Sequence, residues 1–195
     1  MGTLGNGLYS AGRHEEEISV REAELSTLRR LGRSDEPTLV VMGNLANTYD
    51  EMGRKKEAMQ LKRDVYSERL KLNGVEYERT LIAASNYAAS LRDLKRFEEI
   101  KSLMRKTIPV ARRVLGGNHE LTLKMRCIYA RALYEDPGAT LDDLREAVTT
   151  LEEIERTARR VLGGTHPITV DMAGDLRHAR AVLRARETPS PPASA

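Results

Sequence analysis

Residues 115–122 read Leu-Gly-Gly-Asn-His-Glu-Leu-Thr, and variants of this phrase recur along the 195-residue chain. Its first glycine recurs 42, 42 and 47 residues apart, at Gly32, Gly74, Gly116 and Gly163. A threonine follows each of these glycines six residues later, at Thr38, Thr80, Thr122 and Thr169. Periods of roughly 20 to 50 residues are typical of solenoid proteins. The chain is therefore predicted to be one structural unit repeated, with its function on a surface that the units share.

Each period contains two predicted helices separated by a short turn. Apolar residues recur at steps of three and four, which is the spacing of one buried helix face. In the first full unit the apolar run stops at Gly53-Arg54 and then resumes, and the next two units repeat this scheme. Because a single helix pair cannot cover its own apolar face, the predicted fold class is an all-α solenoid of stacked antiparallel helix pairs.

Proline and glycine mark the predicted helix boundaries. Pro37 and Pro167 stand where a helix begins, a position at which the missing N–H of proline costs little. Glycine after Leu115 and Leu162 is a common helix stop because it accepts backbone angles that other residues avoid. Pro109 lies inside the second helix of unit two, where we expect a kink.

Unit three is longer than the others by an insertion at residues 136–140, between its two helices. Pro137-Gly138 predicts a turn. Thr140 followed by Asp143 is a capping pattern that would start the next helix at about Leu141. Inserted loops in repeat proteins sometimes contact partners, and a drifted loop without a role is the alternative.

The composition excludes several classes of function. Apolar residues make up 40% of the chain and charged residues 31%, and the net charge of +3 arises from interleaved signs. No nucleic acid partner is expected, because phosphate binding needs basic residues gathered on one face. No apolar stretch has the length of a signal peptide or a membrane span, so we expect no membrane contact and a cytoplasmic location. The single cysteine, Cys127, excludes an internal disulfide and fits a reducing compartment.

No pattern of catalytic or metal-binding residues is present in the sequence. The four histidines are far apart in the repeat register, and His119 and His166 fall at equivalent turns between units. Neither an HExxH motif, a phosphate-binding loop nor a Ser/His/Asp order occurs. We therefore expect no enzymatic activity, no cofactor and no metal.

The repeat register divides the chain into an array and a tail. The array covers residues 1–186, with a partial repeat at 1–36, whole repeats at 37–78, 79–120 and 121–167, and an unpaired capping helix at 168–186. The partial repeat starts inside a first helix at about Leu4, and the glycines there predict fraying. Residues 187–195 are rich in proline and serine and are expected to be disordered.

The repeats resemble the tetratricopeptide repeats of kinesin light chains. They share with that family a two-helix unit of 42 residues, Gly-Arg at its turn, and Leu-Gly-Gly-x-His-Pro-x-Thr between units. The best match is the unit 37–78, where Gly43-Asn44-Leu45-Ala46 stands in the first helix and Glu57-Ala58 opens the second. Unit two keeps Asn86, whereas unit three has Cys127-Ile128 in place of the asparagines. The resemblance covers about residues 4–186.

This resemblance implies a right-handed superhelix in which the first helices line a concave groove that holds peptide segments of partner proteins. The family's asparagines that contact the peptide backbone correspond to Asn44 and Asn86, and Asn47 should face the same groove. An amide suits this role because it offers a donor and an acceptor to an extended backbone. In the alternative, these amides form hydrogen bonds between adjacent first helices and have no ligand.

Charged residues on the same face predict a preference among ligands. Arg92 in unit two, and Lys124, Arg126 and Arg131 in unit three, would give the later part of the groove a basic character. Acidic peptide segments would then be favoured there. A solvated helix face with scattered ion pairs is the alternative.

Two functions follow from these predictions. The first is a protein interaction module that binds peptide segments of partners, through Asn44, Asn47, Asn86, Arg92, Lys124 and Arg131. The second is a structural scaffold or self-association domain of a larger protein, in which the unpaired terminal helices stack weakly between copies.

Overall fold

The computed structural model describes residues 14–32 and 36–188. These residues contain eight helices and no strand, which confirms the all-α prediction. In chain order the helices are α1 (His14–Arg30), α2 (Glu36–Glu51), α3 (Lys55–Asn73), α4 (Glu78–Asp93), α5 (Phe97–Val114), α6 (Glu120–Tyr134), α7 (Leu141–Leu162) and α8 (Pro167–Glu187). The frayed helix predicted near Leu4 and nearly all of the predicted tail lie outside the described residues.

The helices form two compact units, divided between Leu94 and Lys95. In the N-terminal unit, α2 packs between α1 and α3, and α3 packs on α4. Its core consists of aliphatic side chains at steps of three and four, such as Leu39, Met42 and Leu45 on α2. In the C-terminal unit each helix packs on the next, and α8 also contacts α6. Leucine, isoleucine and methionine again fill the core, together with fully buried alanines.

The repeated phrase ends one helix and begins the next. Gly163 follows α7 with φ 94° and ψ 157°, a conformation open to glycine, and its N–H donates to the Arg159 carbonyl. At the helix starts, Nδ1 of His119 accepts the Leu121 N–H and Nδ1 of His166 accepts the Ile168 N–H, both at 3.3 Å. A helix start leaves backbone donors unpaired, and each imidazole satisfies one of them. These two histidines therefore have a structural role at equivalent turns between units.

The insertion between α6 and α7 forms an ordered turn. Thr140 Oγ1 accepts the Asp143 N–H at 3.1 Å, and Asp143 Oδ2 accepts the Thr140 N–H at 2.8 Å. This reciprocal capping box confirms the predicted start of α7 at Leu141. In α5, the helix continues through Pro109 to Val114, and the kink predicted at Pro109 stays a prediction.

The helices α2, α4, α6 and α8, which we call the first helices, share one register counted from Thr38, Thr80, Thr122 and Thr169. Eight residues after the first three threonines lie fully buried alanines, namely Ala46, Ala88 and Ala130. The same position on α8 is Arg177, whose side chain is exposed. Near the start of α8, Val170 is 55% exposed, whereas Leu39, Leu81 and Leu123 at its register are buried. The outer face of α8 therefore differs chemically from the faces of the internal first helices.

Candidate functional site

A cavity of about 250 Å3 in the N-terminal unit gathers side chains from three helices. From α2 it collects positions 40, 43, 44 and 47, and from α4 positions 79, 82, 83 and 86. Both sets have the spacing of one helix face. Because α2 and α4 follow the same repeat, two pairs of equivalent positions, 40 with 82 and 44 with 86, line the same cavity. The third wall is part of α3, with Lys62, Val65 and Arg69. We call this cavity the amide pocket.

Three of the six residues predicted to bind a peptide line the amide pocket. Asn44 is half-buried, and Asn47 and Asn86 are exposed. Among residues 14–32 and 36–188, no hydrogen bond joins the side-chain amide of any of the three to another group. The interhelical amide bridge that the sequence also allowed is therefore not formed in the structure. Each amide keeps one acceptor and two donors for a ligand.

Exposed apolar side chains stand beside these amides. Val40 on α2 is 46% exposed and Ile82 at the same register on α4 is 40% exposed. The buried side chains of Leu39, Val65 and Ala83 lie beneath them. The pocket therefore offers hydrogen-bonding groups and apolar surface side by side, as peptide-recognition sites do.

The basic residues of the amide pocket already have acidic partners within the chain. Arg69 is buried and donates to Glu36 in bidentate geometry, at 2.8 and 3.1 Å. Arg79 donates to the same carboxylate, and Lys62 pairs with Asp50. The hydrogen bond from Arg69, followed by that from Arg79, holds the pKa of Glu36 below its usual 4.5 despite the opposing effect of burial. Glu36 and Asp50 thus offset much of the positive charge of the pocket.

The other predicted binding residues are not brought together with the asparagines. Arg92 is half-buried in the last turn of α4, outside the amide pocket, and no ion-pair partner lies near it in the described residues. Lys124 on α6 pairs with Glu120 one turn earlier, at 2.7 Å. Arg126 pairs with Glu153 of α7. The acidic preference predicted from these residues stays a prediction, since several of their charges are met from within the chain.

Arg131 belongs to a cluster around Asp175 in the C-terminal unit. Arg131 Nε lies 2.7 Å from Asp175 Oδ2, and a second contact joins Arg131 to Asp171 at 3.2 Å. Tyr134 OH donates to Asp175 Oδ1 and Cys127 Sγ donates to Oδ2, both at 3.0 Å. Burial, followed by the negative charge of Asp175, raises the pKa of the Cys127 thiol, so it remains a protonated donor. We call Asp175, Arg131, Tyr134 and Cys127 the Asp175 cluster.

Sequence reasoning missed the role of Asp175, although the register contained the signal. Asp175 follows Thr169 by six residues, as Asn44 follows Thr38 and Asn86 follows Thr80. Aligning α8 with α2 and α4 would have placed a carboxylate at the asparagine position. The partners of that carboxylate were not readable, because they depend on side-chain conformations across two helices.

A wider depression of about 770 Å3 lies between α1, α2 and α3. Its lining includes Glu22, Tyr49 and Lys56 and contains none of the predicted binding residues. The described residues hold no cluster of three or more metal-binding side chains. None of the described helices combines the length and the apolar character that a membrane crossing needs.

Comparison with known proteins places the repeats in context. A family model of the tetratricopeptide repeat matches residues 38–76 and 80–120. A single-substitution variant of kinesin light chain TPR-like repeats from Podosopora anserina is similar in structure, with a TM-score of 0.77 and 21% sequence identity, over 95% of this chain and 85% of that chain. The repeats without that substitution give a TM-score of 0.71 at 20% identity, over 96% and 95% of the two chains. BtubC (BKLC) from P. vanneervenii is also similar in structure, with a TM-score of 0.61 and 17% sequence identity, over 100% of this chain and 83% of that chain. No curated protein matches in sequence.

Proposed function

From the premise that residues 38–76 and 80–120 are tetratricopeptide repeats, and that the chain has the fold of kinesin light chain TPR-like repeats, we propose that the amide pocket binds peptide segments of partner proteins. Tetratricopeptide repeats generally serve as protein interaction modules, and this fold belongs to non-catalytic repeat scaffolds. The observation that carries the proposal is the set of three unpaired amides, Asn44, Asn47 and Asn86, on one face of one cavity.

The chemistry of the pocket suits an extended peptide. Asn44 and Asn86 can each donate a hydrogen bond to a backbone carbonyl of the peptide and accept one from a backbone N–H. They can therefore bind the peptide main chain whatever the peptide's side chains are. Val40 and Ile82, which stand at the same register as each other, would cover apolar side chains of the ligand. The main chain then supplies much of the affinity, and the apolar contacts supply selectivity.

Charge would act as a secondary determinant of the ligand. Lys62, Arg69 and Arg79 line the amide pocket, but Asp50 and Glu36 already pair with them. An acidic ligand would have to compete with these carboxylates, so we propose that it gains less affinity here than the number of basic residues suggests. We propose Arg92 of α4 as an outer contact for acidic segments, because Lys124 and Arg131 already have acidic partners within the C-terminal unit.

A double substitution tests the proposal. Peptides selected from a displayed library on the wild-type chain are titrated against Asn44→Ala/Asn86→Ala by fluorescence anisotropy. Removing two hydrogen-bonding amides should weaken binding by roughly tenfold or more. The circular dichroism melt should be unchanged, because neither side chain has a partner within the described part of the chain. Asn118→Ala, in the exposed turn after α5, is the matched control and should bind as wild type does.

Two results would contradict the proposal: equal affinity of the double variant and the wild type, or a library that yields no saturable binder.

Light scattering on the free chain examines the alternative of self-association. Stacking another copy on α8 would bury Arg177 at a position where internal first helices have alanine, so we expect a monomer. A cytoplasmic location, which the single cysteine favours, is part of the same proposal.

A further inference from the structure

The C-terminal unit carries different residues at the positions that line the amide pocket. Asp175 stands at the register of Asn44 and Asn86, six residues after the repeat threonine. Arg131 stands at the register of Asn47, nine residues after that threonine, and Cys127 at that of Gly43, five residues after it. All three reference positions on α2 line the amide pocket. Unit three and the capping helix thus have an acid, a base and a thiol at positions where the N-terminal unit has asparagines and a glycine.

The residues at these positions of the C-terminal unit form hydrogen bonds with one another. Asp175 accepts hydrogen bonds from Arg131, Tyr134 and Cys127 at 2.7 to 3.0 Å. The charge-assisted bond to Arg131 is the strong member of the set, and the Asp175 and Arg131 side chains are 13% and 18% exposed. In the N-terminal unit the corresponding amides have no partner among the described residues. The position six residues after the repeat threonine is therefore open to a ligand on α2 and α4 and is occupied by the paired Asp175 on α8. The position nine residues after the threonine is open on α2, as Asn47, and is occupied by the paired Arg131 on α6.

We propose that Asp175 is a built-in occupant of the binding positions on α6 and α8, and that it fixes α8 to α6 instead of leaving these positions to a peptide. A ligand carboxylate would have to displace Asp175, which is held beside Arg131 at the high effective concentration of an intramolecular group. Peptide binding is then confined to the amide pocket. That last statement rests on the proposed function, whereas the attachment of α8 to α6 does not.

The attachment can be tested without any ligand because Cys127 is the only cysteine of the chain and is buried. The rate of its reaction with dithionitrobenzoate reports how often the Asp175 cluster opens. Loss of the carboxylate in Asp175→Ala should accelerate the reaction by roughly tenfold or more. Amide hydrogen exchange in α8, followed by mass spectrometry, should accelerate in parallel, and it does not depend on the ionisation of the thiol.

Asp171→Ala is the matched control. Asp171 also pairs with Arg131, but its side chain is 74% exposed and it receives no hydrogen bond from Cys127 or Tyr134 in the described residues. In the Asp171→Ala variant, the rate of the Cys127 reaction and the amide hydrogen exchange of α8 should equal those of the wild type. Asp175→Asn preserves the shape of the side chain and serves if the alanine variant does not fold. If the Asp175 variants show the same rate of Cys127 reaction and the same amide exchange in α8 as the wild type, the proposal that Asp175 fixes α8 to α6 is overturned.

Peptides from the library selected on the wild type then test the confinement of binding. Asp175→Ala should retain wild-type affinity within about twofold, since only changes in contacting groups alter affinity strongly. A loss as large as that of Asn44→Ala/Asn86→Ala would show that the ligand uses the C-terminal unit, and would overturn the inference. If no peptide binds the wild type, the proposed function fails, and the thiol and exchange measurements still decide whether Asp175 fixes α8.

Discussion

Lys101 of α5 and Asp136 of the inserted turn form an ion pair, with Nζ 2.8 Å from Oδ2. The Lys101 side chain is buried, and Asp136 also accepts the Gly138 N–H at 2.9 Å. The sequence left two interpretations of the insertion, a loop that contacts partners and a drifted loop without a role. The ion pair gives the turn a structural role, since it connects the end of α6 to the preceding helix.

Removing the lysine charge should destabilise the C-terminal unit. Lys101→Met keeps most of the buried stem but leaves Asp136 without its charged donor, which should cost about 1–3 kcal/mol. The melting temperature should fall by about 2–4 °C per kcal/mol for a chain of this size. Lys106→Met, on the exposed side of α5, should change stability by less than about 0.5 kcal/mol. Equal melting of the two variants would contradict the role given to the pair.

Apolar contacts in the amide pocket should contribute to affinity without contributing much to stability. Val40→Ser/Ile82→Ser removes two side chains that a bound peptide would cover, and a selected peptide should bind about tenfold more weakly. Thermal melting should change less than for a core substitution, because both side chains are already partly exposed in the free chain. Val161→Ser on α7 changes an equally exposed valine outside the pocket and should bind normally. Retained affinity in the double variant would exclude Val40 and Ile82 from the contact surface.

The carboxylate of Glu36 should make stability depend on pH. Hydrogen bonds from Arg69 and then Arg79 lower its folded pKa below the ordinary 4.5, so the folded state binds fewer protons than the unfolded chain. The contribution is present above pH 4.5 and is lost as the pH falls through the lowered folded value. Glu36→Gln should therefore be less stable than the wild type near neutral pH. The free energies of unfolding of the two proteins should become more similar as the pH falls.

Urea unfolding at a series of pH values measures this convergence. Glu78→Gln is the matched control, because Glu78 stands at the same register one repeat later and has no ion-pair partner in the described part of the chain. The difference in free energy of unfolding between Glu78→Gln and the wild type should not decrease on acidification in this way. A constant gap between Glu36→Gln and the wild type at all pH values would argue against the assignment.

The turn before α5 contains a strained position that glycine should relieve. Lys95 stands one repeat after Gly53, and both have positive φ, 57° and 73°. The left-handed region costs an L-residue about 1–2 kcal/mol, of which the greater freedom of unfolded glycine offsets part. Lys95→Gly should therefore raise the stability by about 0.5–1 kcal/mol, whereas Lys95→Ala should leave it nearly unchanged. Chemical denaturation distinguishes the two, and a less stable glycine variant would contradict the prediction.

Local sequence patterns were sufficient to predict the helix pair of each repeat and several helix boundaries, such as the starts of α7 and α8. The steps of three and four, the helix-ending glycines and the pair Thr140 and Asp143 each act within one or two turns, so the sequence contains all the participants. The same holds for Asn44 and Asn86, because one repeat length places them on equivalent faces of α2 and α4.

Ion pairs between helices could not be predicted in this way. Arg131 and Asp175 are 44 residues apart, and Arg69 and Glu36 are 33 residues apart. The helical period gives the face on which each charge lies, but the partner depends on helix packing and on the conformation of long side chains. The amide pocket shows the same limit, since Arg69 and Lys62 from α3 complete it although the prediction considered the first helices alone.

The shared register of the first helices also determines how such an array could change its length by gene duplication. A duplicated 42-residue segment between two repeat threonines would add one helix pair and leave every existing face in register. An addition directly after α8 would instead confront Arg177, where each internal first helix has a fully buried alanine. Growth within the array would therefore preserve the register of the existing faces, whereas growth beyond α8 would place a new helix against an arginine.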